Sequence, residues 1–234
     1  MNTRTTSTAI SELSSIQLVM FDLAGTTVDD RKAGASLVVS ALVRAFASAG
    51  IQISPEAIHP HRGREKIAAI RSILEANQLV GPADQIHEFF LAELSGQLAL
   101  LEEIAGAADV FRHLKERGIR VAVGSGFPTD IVDRIIAQLG WNDAGLIDYA
   151  GSAQRVGAGR PDPAMIRHAM RCLGVSDPKS VLKVGDTRAD IEEGRNAGAW
   201  TVGVLTGSQS RDDLADAGAD FILPSIREVP GLLN

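Results

Sequence analysis

Apolar residues along this chain follow two rhythms. Leu18, Val19, Met20 and Phe21 run unbroken up to Asp22, as in a strand covered on both faces, and predict a strand over about Gln17–Asp22. From Asp30 the spacing changes: Leu37, Val38, Ala41, Leu42, Ala45 and Phe46 recur at helical intervals, with Gly50 as a stop. Ile67, Ile70 and Leu74 continue that theme, as do Phe89, Phe90, Leu94 and Leu98. The spacing therefore predicts a small helical insertion over residues 31–105 with no strand in it. After Gly106 the pattern alternates. Helices are predicted over Val110–Arg117, Asp130–Leu139, Ala164–Cys172 and Asp190–Ala197, and strands over Ile119–Val123, Ile147–Ala150, Val181–Val184 and Thr201–Val204. Such alternation builds a parallel sheet with helices on both faces. The expected architecture is thus α/β, with a Rossmann-like core from residues 16–30 and 106–234 and an all-helical cap between them. Residues 1–15, rich in Ser and Thr, read as a flexible tail.

Composition narrows the picture. The 234 residues are 45% apolar, enough for a substantial core. A formal charge of −6 argues against nucleic acid as a partner. No apolar run approaches the ~20 residues of a membrane span, and the start lacks a signal-peptide h-region, so the expected location is the cytoplasm. Cys172, the one cysteine, excludes an intramolecular disulfide and reads as a helical core position. Trp141 and Trp200 read as packing residues.

The candidate chemistry sits where ligands bind in open α/β sheets, beyond the carboxyl ends of strands. Asp22, Ser125 and Asp186 each fall just past a predicted strand. Two carboxylates brought together there repel unless a divalent cation lies between them, which implies Mg²⁺ with hard oxygen ligands. Asp190, four residues after Asp186, opens a predicted helix, where it can accept from backbone N–H groups or orient metal-bound water. Gly124-Ser125-Gly126 is a small-residue turn that lets backbone amides and a hydroxyl approach a phosphate. Arg160 in Gly159-Arg160-Pro161 supplies a fork that can bridge a carboxylate and a phosphate oxygen.

In this order, Asp22, Ser125, Arg160 and Gly185-Asp186-Thr187-Arg188-Ala189-Asp190 resemble the signature of the haloacid-dehalogenase superfamily. Within it, Asp22-Leu23-Ala24-Gly25-Thr26-Thr27 and the run Lys183–Gly207 are similar to the phosphonoacetaldehyde hydrolases, or phosphonatases. The resemblance spans residues 16–225 and is weakest over 31–105. It implies that Asp22 attacks phosphorus and that Asp22, Asp186, Asp190 and the Ala24 carbonyl form the metal site. It further implies that Gly25, Thr26, Ser125, Gly126, Arg160 and Arg62 surround the substrate, a small phosphorylated or phosphonate metabolite, in a homodimeric enzyme.

Ala24 is the informative position. A phosphomonoesterase of this design carries a second Asp there to protonate the leaving oxygen, and a methyl group cannot. By resemblance, Lys66 in Gly63-Arg64-Glu65-Lys66 is the lysine that forms a Schiff base with the substrate aldehyde. An iminium turns the carbanion expelled from a C–P bond into a neutral enamine, so no acid is needed at residue 24. Arg62, Arg64 and Arg71, if close, would depress the Lys66 pKa and favour the free amine. Two positions depart from the phosphonatase pattern: Arg62 replaces a methionine, and Ala69 replaces a histidine thought to assist proton transfer. His59 and His61 flank Pro60 and are candidates to line the cleft or relay protons. The rival readings are a phosphatase or phosphotransferase for a good leaving group, such as an acyl phosphate or anhydride, and a silent phosphometabolite-binding protein.

Overall fold

The computed structural model describes residues 13–233. Its centre is a six-stranded parallel sheet in the order β10-β9-β8-β1-β6-β7. These strands are β1 (Leu18–Phe21), β6 (Arg120–Ser125), β7 (Tyr149–Ser152), β8 (Val181–Gly185), β9 (Trp200–Val204) and β10 (Phe221–Leu223). β1 lies in the middle, with Leu18–Phe21 in register with Arg120–Val123 on one side and Val181–Val184 on the other. Its four residues are wholly buried, as an unbroken apolar strand under helices on both faces requires.

The crossovers are α4 (Ala107–Glu116), α5 (Thr129–Gln138), α6 (Ala164–Leu173), α7 (Arg188–Ala197) and α8 (Arg211–Asp216). One face is apolar and aromatic: Phe21 packs on Phe111, and Phe111 meets the edge of Trp141. The other face of β1 buries Leu18 and Met20 against Met165, Ile166 and Ala169 of α6. Trp141 and Trp200 are 1% and 4% exposed, packing residues as expected.

Between β1 and β6 the chain leaves the sheet and forms α1 (Leu37–Ser48), α2 (Lys66–Ala76) and α3 (Ala83–Ser95). The periodic positions Leu37, Val38, Ala41, Leu42, Ala45 and Phe46 are all buried, and so are Ile70, Ile73, Ile86, Phe90 and Leu94, against which they pack. Ser36 caps α1 by accepting from the Val39 N–H.

Four sequence expectations need correction. The insertion is not free of strands: β2 (Val28–Asp29) pairs antiparallel with β5 (Glu102–Glu103), and β3 (Arg31–Lys32) pairs with β4 (Ala35–Ser36). The β2–β5 ladder brings the start and end of the insertion together, the β3–β4 ladder is a local hairpin at its start, and both are too short to show alternation. Phe89 is 41% exposed, because Ile86, Phe90 and Leu94 set the buried stripe of α3. Cys172 is exposed, at the flank of the stripe formed by Met165, Ile166, Ala169 and Met170. Finally, the expected tail lies outside the described residues over 1–12, but Leu13 is buried in the main core, which therefore begins before residue 16. Among the described residues no helix is long and apolar enough to cross a membrane.

Candidate active site

Asp22 follows β1 directly, and the loop after it is tied down by its own backbone. The Thr27 hydroxyl donates to the Asp22 carbonyl at 2.7 Å, and the Thr27 and Val28 N–H groups donate to the Leu23 carbonyl at 2.9 and 2.8 Å. Gly25 takes a φ of +92°, and a Cβ there would lie 2.8 Å from Asp186 Oδ2. That position therefore suits only glycine. Thr26 donates to Asp186 Oδ1 at 3.2 Å, while the Ser208 amide and hydroxyl donate to Oδ2 at 2.8 and 3.0 Å. Gly25 and Thr26 thus pack on Asp186 and position it.

Four carboxylates are buried together at the strand ends: Asp22, Asp186, Asp190 and Glu193. Two cations answer them. Arg160 Nη1 lies 2.6 Å from Asp22 Oδ1 and 2.9 Å from Asp190 Oδ1, and its Nε lies 2.8 Å from Glu193 Oε2. Lys183 Nζ lies 2.8 Å from Asp190 Oδ1 and 3.3 Å from Glu193 Oε2. Arg160 also donates to the carbonyls of Gly124 and Gly63. Asp190 closes a capping box with Thr187 at the start of α7. Among the described residues Asp186 has no Lys, Arg or His within ion-pair distance.

The electrostatics follow from these partners. Burial raises the pKa of Asp22, with Arg160 opposing it. Asp190 titrates below its ordinary range, because Arg160 and Lys183 outweigh its burial. Asp186 is pushed up to about 6 by burial and by the neighbouring Asp22 charge. One ligand oxygen each from Asp22, Asp186 and Asp190 lies within 4.8 Å of the others, so the cluster has the geometry to hold a metal ion. A buried carboxylate with no cation beside it is what a divalent ion would relieve.

Across from this cluster sits the start of α2. Lys66 is 7% exposed; its Nζ donates to the Arg64 carbonyl at 3.1 Å and lies 4.8 Å from the centre of the Phe127 ring. Its pKa is pushed down to about 8, chiefly by burial, with Arg62 and Arg160 also lowering it and Asp22 and Asp190 raising it. Lys66 is also the first residue of its helix, where the macrodipole disfavours a cation. Arg62 thus lowers the Lys66 pKa, as the sequence predicted. Arg64 and Arg71 do not figure among the main influences on Lys66, and Arg71 pairs instead with Asp84 at 3.1 Å.

One cavity of about 30 Å³ joins the two halves. Asp22, Ala24, Ser125, Gly126, Arg160 and Lys66 all line it, together with Arg62, His61, Ala69 and Phe127. The insertion is seated closely: a Cβ on Gly126 would stand 2.1 Å from the Arg64 carbonyl oxygen, and one on Gly63 would stand 2.1 Å from the Thr187 hydroxyl. Ser125 Oγ accepts from the Phe127 N–H at 3.3 Å. His61 contributes a buried Nδ1 without a partner among the described residues, and burial lowers its pKa. His59 lines a different, larger cavity.

Sequence reasoning did not single out Lys183, Glu193 or Phe127 as site residues. A lysine inside an otherwise apolar strand is an anomaly that betrays a buried partner, so Lys183 carried a usable signal. Glu193 looked like one more polar residue of a helix.

Comparison with known proteins agrees with this geometry. The family model for haloacid dehalogenase-like hydrolases matches residues 16–198. The chain is 31% identical over 265 aligned residues to the phosphonoacetaldehyde hydrolase of Latilactobacillus sakei, covering 94% of this chain and 96% of that protein. It is 32% identical over 259 residues to the enzyme of that name from Lactiplantibacillus plantarum, with the same coverage. Among solved structures, a phosphonoacetaldehyde hydrolase like protein from Oleispira antarctica superposes with a TM-score of 0.80 at 24% identity, over 94% of each chain. A predicted phosphoglycolate phosphatase from Haemophilus somnus superposes with a TM-score of 0.76 at 21% identity, over 94% of this chain and 99% of that one. At these identities the structural likeness concerns the fold.

Proposed function

Because the chain belongs to the haloacid dehalogenase-like hydrolases, we propose that it is a Mg²⁺-dependent, phosphonatase-like member that cleaves the C–P bond of phosphonoacetaldehyde or a close carbonyl phosphonate. The observation that carries this reading is the pairing of Lys66 with Ala24 in one cavity. The site lacks the acid that an oxygen leaving group requires, and holds instead a buried amine whose pKa is pushed down to about 8.

The residues divide the work as follows. The Lys66 amine adds to the substrate carbonyl and loses water, giving an imine. Asp22 then attacks phosphorus, and the C–P electron pair passes into the imine system as an enamine, leaving an aspartyl-phosphate. Protonation and hydrolysis of the enamine free the aldehyde and restore Lys66, while water hydrolyses the aspartyl-phosphate. Arg160 holds Asp22 in its attacking position, and Ser125 with the Gly126 backbone receives phosphoryl oxygens. Asp22, Asp186 and the Ala24 carbonyl would hold Mg²⁺, with Asp190 steadying Arg160 and Lys183 beside them. When bound there, Mg²⁺ would neutralise phosphoryl charge and help align phosphorus for attack. To His61, which lines the same cavity with a buried, unpartnered Nδ1, we assign the movement of the carbon-bound proton, a service Ala69 cannot give. The helical insertion acts as a cap: a space of about 30 Å³ holds one or two waters, so substrate enters with the cap lifted and reacts with it seated.

Ala69 also supports a second reading, hydrolysis of an acyl phosphate or anhydride, whose leaving group needs neither acid nor amine. Borohydride trapping distinguishes the two. With phosphonoacetaldehyde present, C–P cleavage predicts a reduced adduct on the peptide bearing Lys66, and Lys66→Arg loses C–P cleavage while keeping any acetyl phosphate hydrolysis. An unmodified Lys66 and an undiminished Lys66→Arg enzyme would overturn the Schiff-base reading in favour of the phosphatase.

A further inference from the structure

A second cavity, of about 550 Å³, adjoins the reaction cavity at the seam between cap and core. Arg62 lines both. The lining of the larger one includes Arg31, Arg44 and His59 as well as Arg62, and no Asp or Glu side chain. Arg31 and Arg44 are already paired at the surface with Asp29 and Glu93, in solvated arrangements that contribute little.

Arg62 is different. Its side chain is only 10% exposed, and its ion-pair partner among the described residues is Asp30, at 3.6 Å. The same Asp30 oxygen also accepts a hydrogen bond from the Ser36 hydroxyl. A guanidinium has five N–H donors in a rigid fork, and one long, shared ion pair leaves most of that capacity unused. A nearly buried cation in this condition is poised for a second anion, and a carboxylate matches its fork with two parallel hydrogen bonds.

We propose that Arg62 and the adjoining cavity select a substrate with a second anionic group, so that the preferred ligand is a phosphonate whose carbon chain carries a carboxylate. The phosphonate is held at Ser125, Gly126 and Arg160, the carbon chain passes Lys66, and the carboxylate meets Arg62 at the mouth of the larger cavity. This rests on the phosphoryl anchoring proposed above, and not on the Schiff base.

Two uncleavable probes test it by calorimetry in the presence of Mg²⁺. They are 3-phosphonopropionate and propylphosphonate, which match in length and differ in the carboxylate. The wild-type protein is expected to bind 3-phosphonopropionate at least tenfold more tightly. In Arg62→Met that ratio is expected to fall below twofold, and Arg62→Lys, which keeps the charge without the fork, is expected to fall between. A thermal melt of each variant checks that it is folded. A wild-type ratio near one, or a ratio that survives in folded Arg62→Met, overturns the proposal while leaving the anchoring intact. Failure of both probes to bind overturns the anchoring, and this proposal with it.

Discussion

Lys66 offers the sharpest quantitative test, because its reactivity and its cost to the fold arise from the same burial. An ordinary lysine with a pKa near 10.4 is about one part in a thousand free amine at pH 7.5. With the pKa pushed down to about 8, about a quarter is free, a gain of roughly two hundredfold. The depression corresponds to about 3 kcal/mol of preference for the neutral form. In the unfolded chain Lys66 binds its proton more tightly than in the folded one. Stability therefore rises with pH between about 8 and 10.5, and the cost is fully present below that window. The assay is the initial rate of cyanoborohydride trapping by phosphonoacetaldehyde, read by mass spectrometry on the Lys66 peptide from pH 6 to 11. The expected midpoint is near 8. Asp22→Asn removes a charge that raises the Lys66 pKa, so its midpoint moves lower. A wild-type midpoint at or above 10, or an upward shift in Asp22→Asn, refutes the reasoning.

Further outcomes follow from the same geometry. Asp22→Asn removes the nucleophile and should lower kcat at least 10³-fold with the fold intact by circular dichroism, and chelation should act likewise; substantial turnover in either case excludes the aspartyl-phosphate route. Gly126→Ala places a methyl 2.1 Å from the Arg64 carbonyl oxygen in the seated cap, so kcat/KM should fall by tenfold or more with little change in urea midpoint, and wild-type kinetics would show that the cap does not close this way. Lys183→Met leaves Asp190 and Glu193 to share Arg160, and should cost about 3–5 kcal/mol by urea denaturation; a loss under 1 kcal/mol would mean that Lys183 does not neutralise the cluster. Metal affinity requires Asp186 to be ionised, so Mg²⁺ binding should weaken as pH falls through about 6, and calorimetry showing no change between pH 7 and 5 would count against Asp186 as a ligand.

What could be read from the chain, and what could not, divides along physical lines. β1 was legible because burial on both faces leaves an unbroken apolar run, and β6 and β8 because theirs is apolar but for Arg120 and Ser125 at the ends of β6 and Lys183 within β8; Asp22 and Asp186 stood out as the carboxylates just past such runs. The crossovers α4 to α7 were legible to within a few residues in the β/α alternation of the chain, whereas α8 and β10 were not read from the sequence. Arg160 was visible by its setting between Gly159 and Pro161, but its partner Glu193 lies 33 residues away, and no periodicity links them. The β2–β5 ladder was hidden because two residues cannot display alternation. Cys172 misled because an apolar neighbourhood in sequence, Met170 and Leu173, does not fix which flank of a helix meets the sheet.

The division of labour between cap and core has a further meaning. In the mechanism proposed above, the core carries the group that attacks phosphorus, and the insertion carries the amine that attacks carbon. Lys66 acquires its depressed pKa chiefly by being enclosed. Lifting the cap, as that proposal requires for substrate entry, would return solvent to the amine and make it an ordinary protonated lysine, unreactive toward any aldehyde it meets. On that proposal the enzyme works as a two-key lock, in which one movement arms the amine and brings it to the nucleophile. Stray aldehydes that bring no phosphonate to seat the cap find the second key unturned.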